Sequence, residues 1–186
     1  MKIEVGNMLR LARVVAGLAA AVMGTVAATA ADGPSPALRE RFGDWGVTCV
    51  TVEKGTKCSI LQQQAARAAP GQALQRTIAI ELLPVPYGAV GTLLTPFGVD
   101  LAKGVTLRLG KAGPPLPFKT CLPTGCLVPL QFGKDAVEAL RHQPVLHVLF
   151  ETAGDGQTID VPISLGGLGQ ALDRAKAIET GDGAGS

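Results

Sequence analysis

Cys49, Cys58, Cys121 and Cys126 are the cysteines of this 186-residue chain, and their spacing restricts the backbone more than any other feature. Four cysteines allow three pairings. Turn chemistry favours the local one, Cys49 with Cys58 and Cys121 with Cys126. Between the second pair runs Leu122-Pro123-Thr124-Gly125, with proline at the second and glycine at the fourth turn position, as a type I turn prefers. The first pair brackets Glu53-Lys54-Gly55 in the same fashion. Each pair would then face itself across an antiparallel hairpin, where opposed Cα atoms lie about 4.5 to 5.5 Å apart, within disulfide range. Closing loops this short contributes about 2 to 3 kcal/mol each in the chain-entropy description. A four-cysteine zinc site is the competing use, but these spacings are unlike those of a zinc ribbon.

Disulfides persist in oxidising compartments, and the N-terminus offers a route to one. Lys2, Arg10 and Arg13 precede an uncharged stretch from Val14 to Ala31 that ends in small residues around Ala28-Thr29-Ala30. This is the three-part layout of a secretory signal, with cleavage expected after Ala30. The stretch just reaches the length of a membrane span. Its Ala, Gly and Thr content and the Ala-x-Ala site followed by Asp32-Gly33-Pro34 argue for removal instead, so no integral membrane span is expected after processing. Cleavage would take Lys2, Arg10, Arg13 and Glu4 from the 17 basic and 15 acidic residues and leave 14 of each. A neutral domain without a Lys/Arg run lacks the electrostatic footprint of a nucleic-acid binder. The remaining length suits a single hydrophobic core.

Period-two alternation marks several strands. Trp45, Val47 and Cys49 share one face; Ile78, Ile80 and Leu82 another; Val105, Leu107 and Leu109, and Ile159, Val161 and Ile163, two more. Val145 to Phe150 is apolar on both faces apart from His147, the pattern of a central strand covered on both sides. With Lys57 to Gln63 and the hairpin around Cys121 and Cys126, about seven strands are expected, the number of a small sandwich. Two short helices fit, Lys134 to His142 and Leu168 to Ile178. The second carries Leu168, Ala171, Leu172, Ala175 and Ile178 on one face and is expected to pack on a sheet. The organisation predicted is therefore a signal peptide over 1–30, one all-β, disulfide-stapled antiparallel sandwich over 31–179 and a flexible glycine-rich tail over 180–186.

Four segments resemble the invasion-associated locus B proteins of α-proteobacteria: Phe42-Gly43-Asp44-Trp45-Gly46-Val47-Thr48-Cys49; Pro96-Phe97-Gly98-Val99 leading to Gly104-Val105-Thr106-Leu107; Phe118-Lys119-Thr120-Cys121 through Gly125-Cys126; and Val161-Pro162-Ile163-Ser164-Leu165-Gly166-Gly167-Leu168 with Ala171-Leu172. The resemblance implies an immunoglobulin-like β-sandwich, a periplasmic or secreted, envelope-associated location, and membership of a group named for host-cell invasion, with no established reaction. It carries over the four cysteines, and Trp45 as a core residue near the first disulfide. Leu168 stands where relatives often carry Phe.

Catalytic signals are weak. Ser164 lies in Pro162-Ile163-Ser164-Leu165-Gly166, not in a Gly-x-Ser-x-Gly elbow. The only bases a serine could recruit are His142, at the end of a predicted helix, and His147, inside a predicted strand; their spacing across Pro144 does not make a helical metal pair. Gly166-Gly167-Leu168-Gly169 precedes a helix but lacks the lysine of a phosphate loop. No cofactor or metal is expected. The segment Pro84 to Gly98 stands out because it holds no charge yet contains Tyr87, Leu93, Leu94 and Phe97, a candidate contact surface if exposed. The functional expectation is a non-enzymatic binding or envelope module that meets an unknown protein, cell-envelope or host-surface component. The alternatives are a structural or stress-related envelope protein without a host partner, and a hydrolase with a scattered site.

Overall fold

The computed structural model describes residues 36–65 and 76–181, which fall within one compact unit. The expected signal peptide, its Ala30 cleavage site and residues 182–186 of the expected tail lie outside the described residues. The order of elements is β1 (Pro36–Phe42), β2 (Trp45–Val52), β3 (Gly55–Ala65), β4 (Arg76–Val85), β5 (Gly88–Thr95), β6 (Val105–Leu109), β7 (Lys111–Leu116), β8 (Thr120–Leu122), β9 (Gly125–Gly133), α1 (Lys134–His142), β10 (Val145–Glu151), β11 (Thr158–Ser164) and α2 (Leu168–Thr180). The fold is all-β with two helices. One antiparallel sheet runs β1-β2-β3-β4-β5-β9-β8, the other β11-β10-β6-β7.

Alternation decides which face of the larger sheet is buried. In β2, Trp45, Val47 and Cys49 are at most 1% exposed while Gly46, Thr48 and Val50 are half-buried. Register carries the same face across the sheet, Val47 opposite Ile60 and Ile60 opposite Leu82. The smaller sheet adds Val105, Val148 and Ile163 to the same core. The helices cover what remains, α2 against β1 to β4 and α1 against β5 and β9. The inward stripe of α2 is Leu168, Ala171, Leu172 and Ala175, the three-and-four spacing that a helix needs to bury one side. Its small alanines allow close approach to the sheet.

More strands form than alternation alone marks. β1 reads as charged because it holds Arg39, Glu40 and Arg41, yet it pairs with β2 from Leu38 opposite Cys49 to Phe42 opposite Trp45. β7 contains Pro114 and Pro115 and lies at a sheet edge, where a missing N–H costs no ladder bond. The glutamine run belongs to β3: Gln62 is 6% exposed, and Gln64 Nε2 donates to Pro162 O at 2.8 Å, linking the two sheets. β10 is central, between β11 and β6, but only Leu146, Val148 and Phe150 are buried. Val145, His147 and Leu149 are half-buried rather than fully covered. α2 runs two residues past Ile178 to Thr180 and is closed by Gly181, whose φ of 84° suits the left-handed cap; Thr180 is thus helical rather than tail.

The bonds Cys49–Cys58 and Cys121–Cys126 close two adjacent-strand hairpins, Cys49 facing Cys58 between β2 and β3 and Cys121 facing Cys126 between β8 and β9.

Candidate contact surface

The Pro84–Gly98 segment is the β4–β5 hairpin and the turn that follows it, and strand alternation divides its apolar residues. Ala89, Leu93 and Thr95 point inward, each at most 1% exposed. Leu93 is therefore a core residue and does not belong to the candidate surface: in an extended strand, neighbours such as Leu93 and Leu94 take opposite faces. Leu94 points outward and is half-buried, opposite Ala79 on one side and Leu127 on the other. Tyr87 forms the hairpin turn and is 78% exposed, and Phe97, past the far end of β5, is 61% exposed. The eight residues of β5 separate the two aromatics by about 25 Å at roughly 3.3 Å per residue. They belong to two surfaces, not one.

At the Tyr87 end, Lys134 at the start of α1 places Nζ 5.8 Å from the ring centroid, a cation–π contact. Beside it lies a cavity of about 250 Å³ walled by Pro84, Pro86, Val137 and Leu172 and flanked by Lys134 and Lys176.

At the other end, the ladder sets the neighbourhood. Thr95 of β5 faces Cys126 of β9, which faces Cys121 of β8, so the chain leaving β5 and the β8–β9 turn emerge side by side. Gly125 permits this closeness: at φ 141°, a Cβ there would lie 2.2 Å from Thr95 O. The turn after β5 is pinned from below. Ala153 N donates to Gly98 O at 2.7 Å and Asp100 N to Glu151 O at 2.8 Å, while Val99 is 6% exposed in the core. Phe97 and Leu101 are held outward by this stitched backbone, Leu101 at 51% and Leu122 of the neighbouring turn at 47% exposure. Leu101 and Leu122 do not stand out as surface residues in the sequence. Their only signal is an apolar residue inside turn punctuation, at Asp100-Leu101 and Cys121-Leu122-Pro123.

The side chains with catalytic potential are engaged by near neighbours. His147 Nδ1 lies 2.7 Å from Asp160 Oδ1 across the β10–β11 pair, and Arg108 donates to the other oxygen of the same carboxylate. His142 Nε2 lies 2.8 Å from Glu138 Oε1, one turn back on the exposed side of α1. Ser164 Oγ accepts from Gly166 N at 3.2 Å. His142 and Ser164 line one open groove of about 710 Å³, yet among the described residues no hydrogen bond joins Ser164 to either histidine. The glycine run has a packing purpose. A Cβ on Gly167, at φ 93°, would sit 2.0 Å from Phe42 O, Asp44 N donates to Gly166 O at 3.2 Å, and Trp45 Nε1 donates to Ser164 O at 3.1 Å. The first and last of the four sequence segments thus meet, and the absence of side chains lets the β1–β2 turn close on the turn into α2.

Electrostatics anchors α2 as well. Arg174 grips Glu40 of β1 through Nε and Nη2 at 2.8 and 2.9 Å, and this hydrogen bonding holds the Glu40 carboxyl below its ordinary range. Arg141 of α1 grips Asp173 at 2.9 and 2.6 Å and lowers that carboxyl in the same way. Asp155 is also lowered, first by the Thr152 hydroxyl and then by the Gln157 backbone N–H. Among the described residues no three His, Cys, Asp or Glu side chains converge as a metal site, and no helix is long and apolar enough to cross a membrane.

Comparison with known proteins places this arrangement. The profile of the family described as "Invasion associated locus B (IalB) protein" matches residues 45–176. An invasion protein B homolog of Brucella abortus (strain 2308) is 40% identical over 148 residues, covering 78% of this chain and 83% of that protein. Invasion protein B of Bartonella bacilliformis is 29% identical over 157 residues, covering 82% and 81%. The crystal structure of invasion associated protein B from Bartonella henselae superposes with a TM-score of 0.67 at 27% identity, over 77% of this chain and 98% of that one.

Proposed function

From its place in the invasion-associated locus B family, to which the chain belongs, we propose that it is an exported envelope protein that acts by surface contact and catalyses no reaction. The observation that carries this reading is the end of the molecule where Phe97 and Leu101 stand 61% and 51% exposed on backbone that is itself tied down, with Leu122 of the neighbouring turn 47% exposed. A rigid display of apolar side chains loses little conformational entropy when a partner covers it, and exposed aromatics are favoured anchors at interfaces. Two disulfides and the N-terminal leader pattern fit an oxidising compartment, the periplasm or beyond it. Relatives carry the name invasion protein B, and an envelope or host-surface protein is the partner this surface would meet. One domain from residue 31 through the α2 cap at Gly181, with the leader removed after Ala30 and a flexible tail beyond the cap, is the organisation proposed.

The experiment is site-specific photo-crosslinking in intact cells. A crosslinker at position 97 should yield a discrete adduct that one at position 54, on the β2–β3 turn, does not. Leu101→Ser with Leu122→Ser should abolish that adduct, whereas His142→Ala with Ser164→Ala should leave it. Equal labelling from positions 97 and 54, or loss of the adduct in the histidine–serine variant, overturns the reading.

A further inference from the structure

The two disulfides differ in what a thiol in solution could reach. Cys49 and Cys58 are 0% and 1% exposed and lie under α2, whose Glu179 Oε1 accepts from Cys58 N at 2.8 Å. Cys121 is exposed while Cys126 is 3% exposed, and β8 is a three-residue strand at the sheet edge with only β9 beside it. Lys119, two residues before Cys121, is exposed as well. From this asymmetry we infer that Cys121 is a site of thiol–disulfide exchange, at which an external thiolate forms a mixed disulfide while the fold and the Cys49–Cys58 bond stay intact.

Exchange requires a sulfur that a nucleophile can approach in line with the bond it breaks. The attacking thiolate forms a bond to Cys121 Sγ as the Cys121–Cys126 bond breaks. The electron pair leaves on Cys126 sulfur, which takes a proton from water. A second thiolate attacking the mixed disulfide would release Cys121 as thiolate and carry away the first thiol as its own disulfide. Attack in the opposite sense, at Cys126, is blocked by burial. Opening is local because Cys126 belongs to β9, which β5 holds on its other side, so only the short β8 is freed. The co-reactant is a thiol, either a small molecule or an exposed cysteine of another protein. The inference stands apart from the contact reading, since Phe97→Ser would disturb the contact and leave the exchange unchanged.

The test incubates the oxidised protein under native conditions with millimolar glutathione in one arm and, in the other, with a small folded protein bearing a single exposed cysteine. Both arms are quenched by alkylation and mapped by mass spectrometry, with circular dichroism recorded alongside. The expected result is an adduct on Cys121, an unaltered spectrum, and consumption of the Cys121–Cys126 bond roughly tenfold or more faster than the other bond. An adduct in the glutathione arm alone assigns small thiols as the co-reactant, and one in the protein arm assigns protein thiols. With Cys126→Ser, the remaining Cys121 should take up glutathione from its disulfide, whereas with Cys121→Ser the remaining Cys126 should stay unmodified until the protein is denatured. Equal consumption of both bonds, an adduct on Cys126, or no adduct in either arm overturns the inference, and the wild-type mapping decides even if a variant does not fold.

Discussion

The β2–β3 and β8–β9 hairpins are built alike, each two antiparallel strands joined by a tight turn and tied by a disulfide between directly opposed residues, but they occupy opposite situations. The first lies within a seven-stranded sheet and under a helix, and its sulfurs are part of the core. The second closes the sheet's edge, with Cys121 and Leu122 in solvent. The same covalent device therefore has two consequences. In the first hairpin it adds to packing that already fixes the strands; in the second it holds a three-residue strand that has little else to hold it. Burial, not bond chemistry, separates a structural disulfide from an available one.

Removing the bonds one at a time gives the largest measurable contrast. Loop closure alone would make the two nearly equal, about 2 to 3 kcal/mol each. Cys49→Ala with Cys58→Ala also deletes two sulfurs from a dense core, so its total loss is expected at about 4 kcal/mol. Cys121→Ala with Cys126→Ala should lose about 2 kcal/mol. Urea denaturation monitored by Trp45 fluorescence would measure both, and equal losses would mean that the core around the first bond contributes nothing beyond the crosslink.

The helix that covers the first hairpin gives the next contrast. Leu168 is 0% exposed at the start of α2, and Leu168→Ala should cost about 3 kcal/mol through lost burial and the cavity left behind. Because α2 shields Cys49 and Cys58, the same change should raise the rate at which that bond is reduced and leave Cys121–Cys126 unaffected. A rise at both bonds would show that α2 stabilises the molecule as a whole without specifically covering the first.

Glu179 offers a finer probe. The β3–β4 ladder ends at Ile60 opposite Leu82, so the Cys58 N–H lies beyond it and finds Glu179 instead. Glu179→Ala leaves that donor without its acceptor and should cost about 1 kcal/mol, with faster hydrogen exchange at Cys58. Glu179→Gln keeps an oxygen in reach and should lose less. If alanine and glutamine behave alike, the contact is incidental.

The all-β class, both helices and the family resemblance are legible in the chain because each depends on local spacing: period two in β2, β4 and β11, three-and-four spacing in α2, turn residues between paired cysteines. What local spacing does not supply is the meeting of distant turns. The chain that leaves β5 towards Phe97 and the turn that carries Leu122 emerge side by side only because Thr95, Cys126 and Cys121 are aligned across three strands, a register no single segment encodes. β1 escapes a reading by pattern because Glu40 and Arg41 look solvated, and Glu40 is in fact held by Arg174, 134 residues away. Leu93 differs in kind. The alternation is present in the sequence, but treating an uncharged segment as one block hides the opposite facing of Leu93 and Leu94.

Acid should narrow the difference between the hairpins. Besides the Glu179 contact, two ion-paired carboxylates tether α2, Glu40 to Arg174 and Asp173 to Arg141, and in both the guanidinium hydrogen bonds hold the folded pKa below the ordinary 4.5 and 3.8. A carboxyl with a depressed folded pKa contributes stability that is fully present above its unfolded pKa and is lost as pH falls through the folded one. Between those values the unfolded chain binds the proton and the folded protein does not, so each step down in pH favours detachment. Both pairs are partly open to water, which screens them, and the effect should be smaller than that of losing the Glu179 contact. Its signature is selective: as pH drops below about 4.5, hydrogen exchange along α2 and at Cys58, taken relative to the intrinsic rate of an unprotected amide at the same pH, should accelerate while Thr120 to Leu122, which no such ion pair anchors, should change little. Arg174→Gln should remove the Glu40 part of this dependence at every pH. Uniform acceleration across both hairpins would instead mean that acid acts on the whole domain and that the tethers of α2 are not what keeps the first disulfide covered.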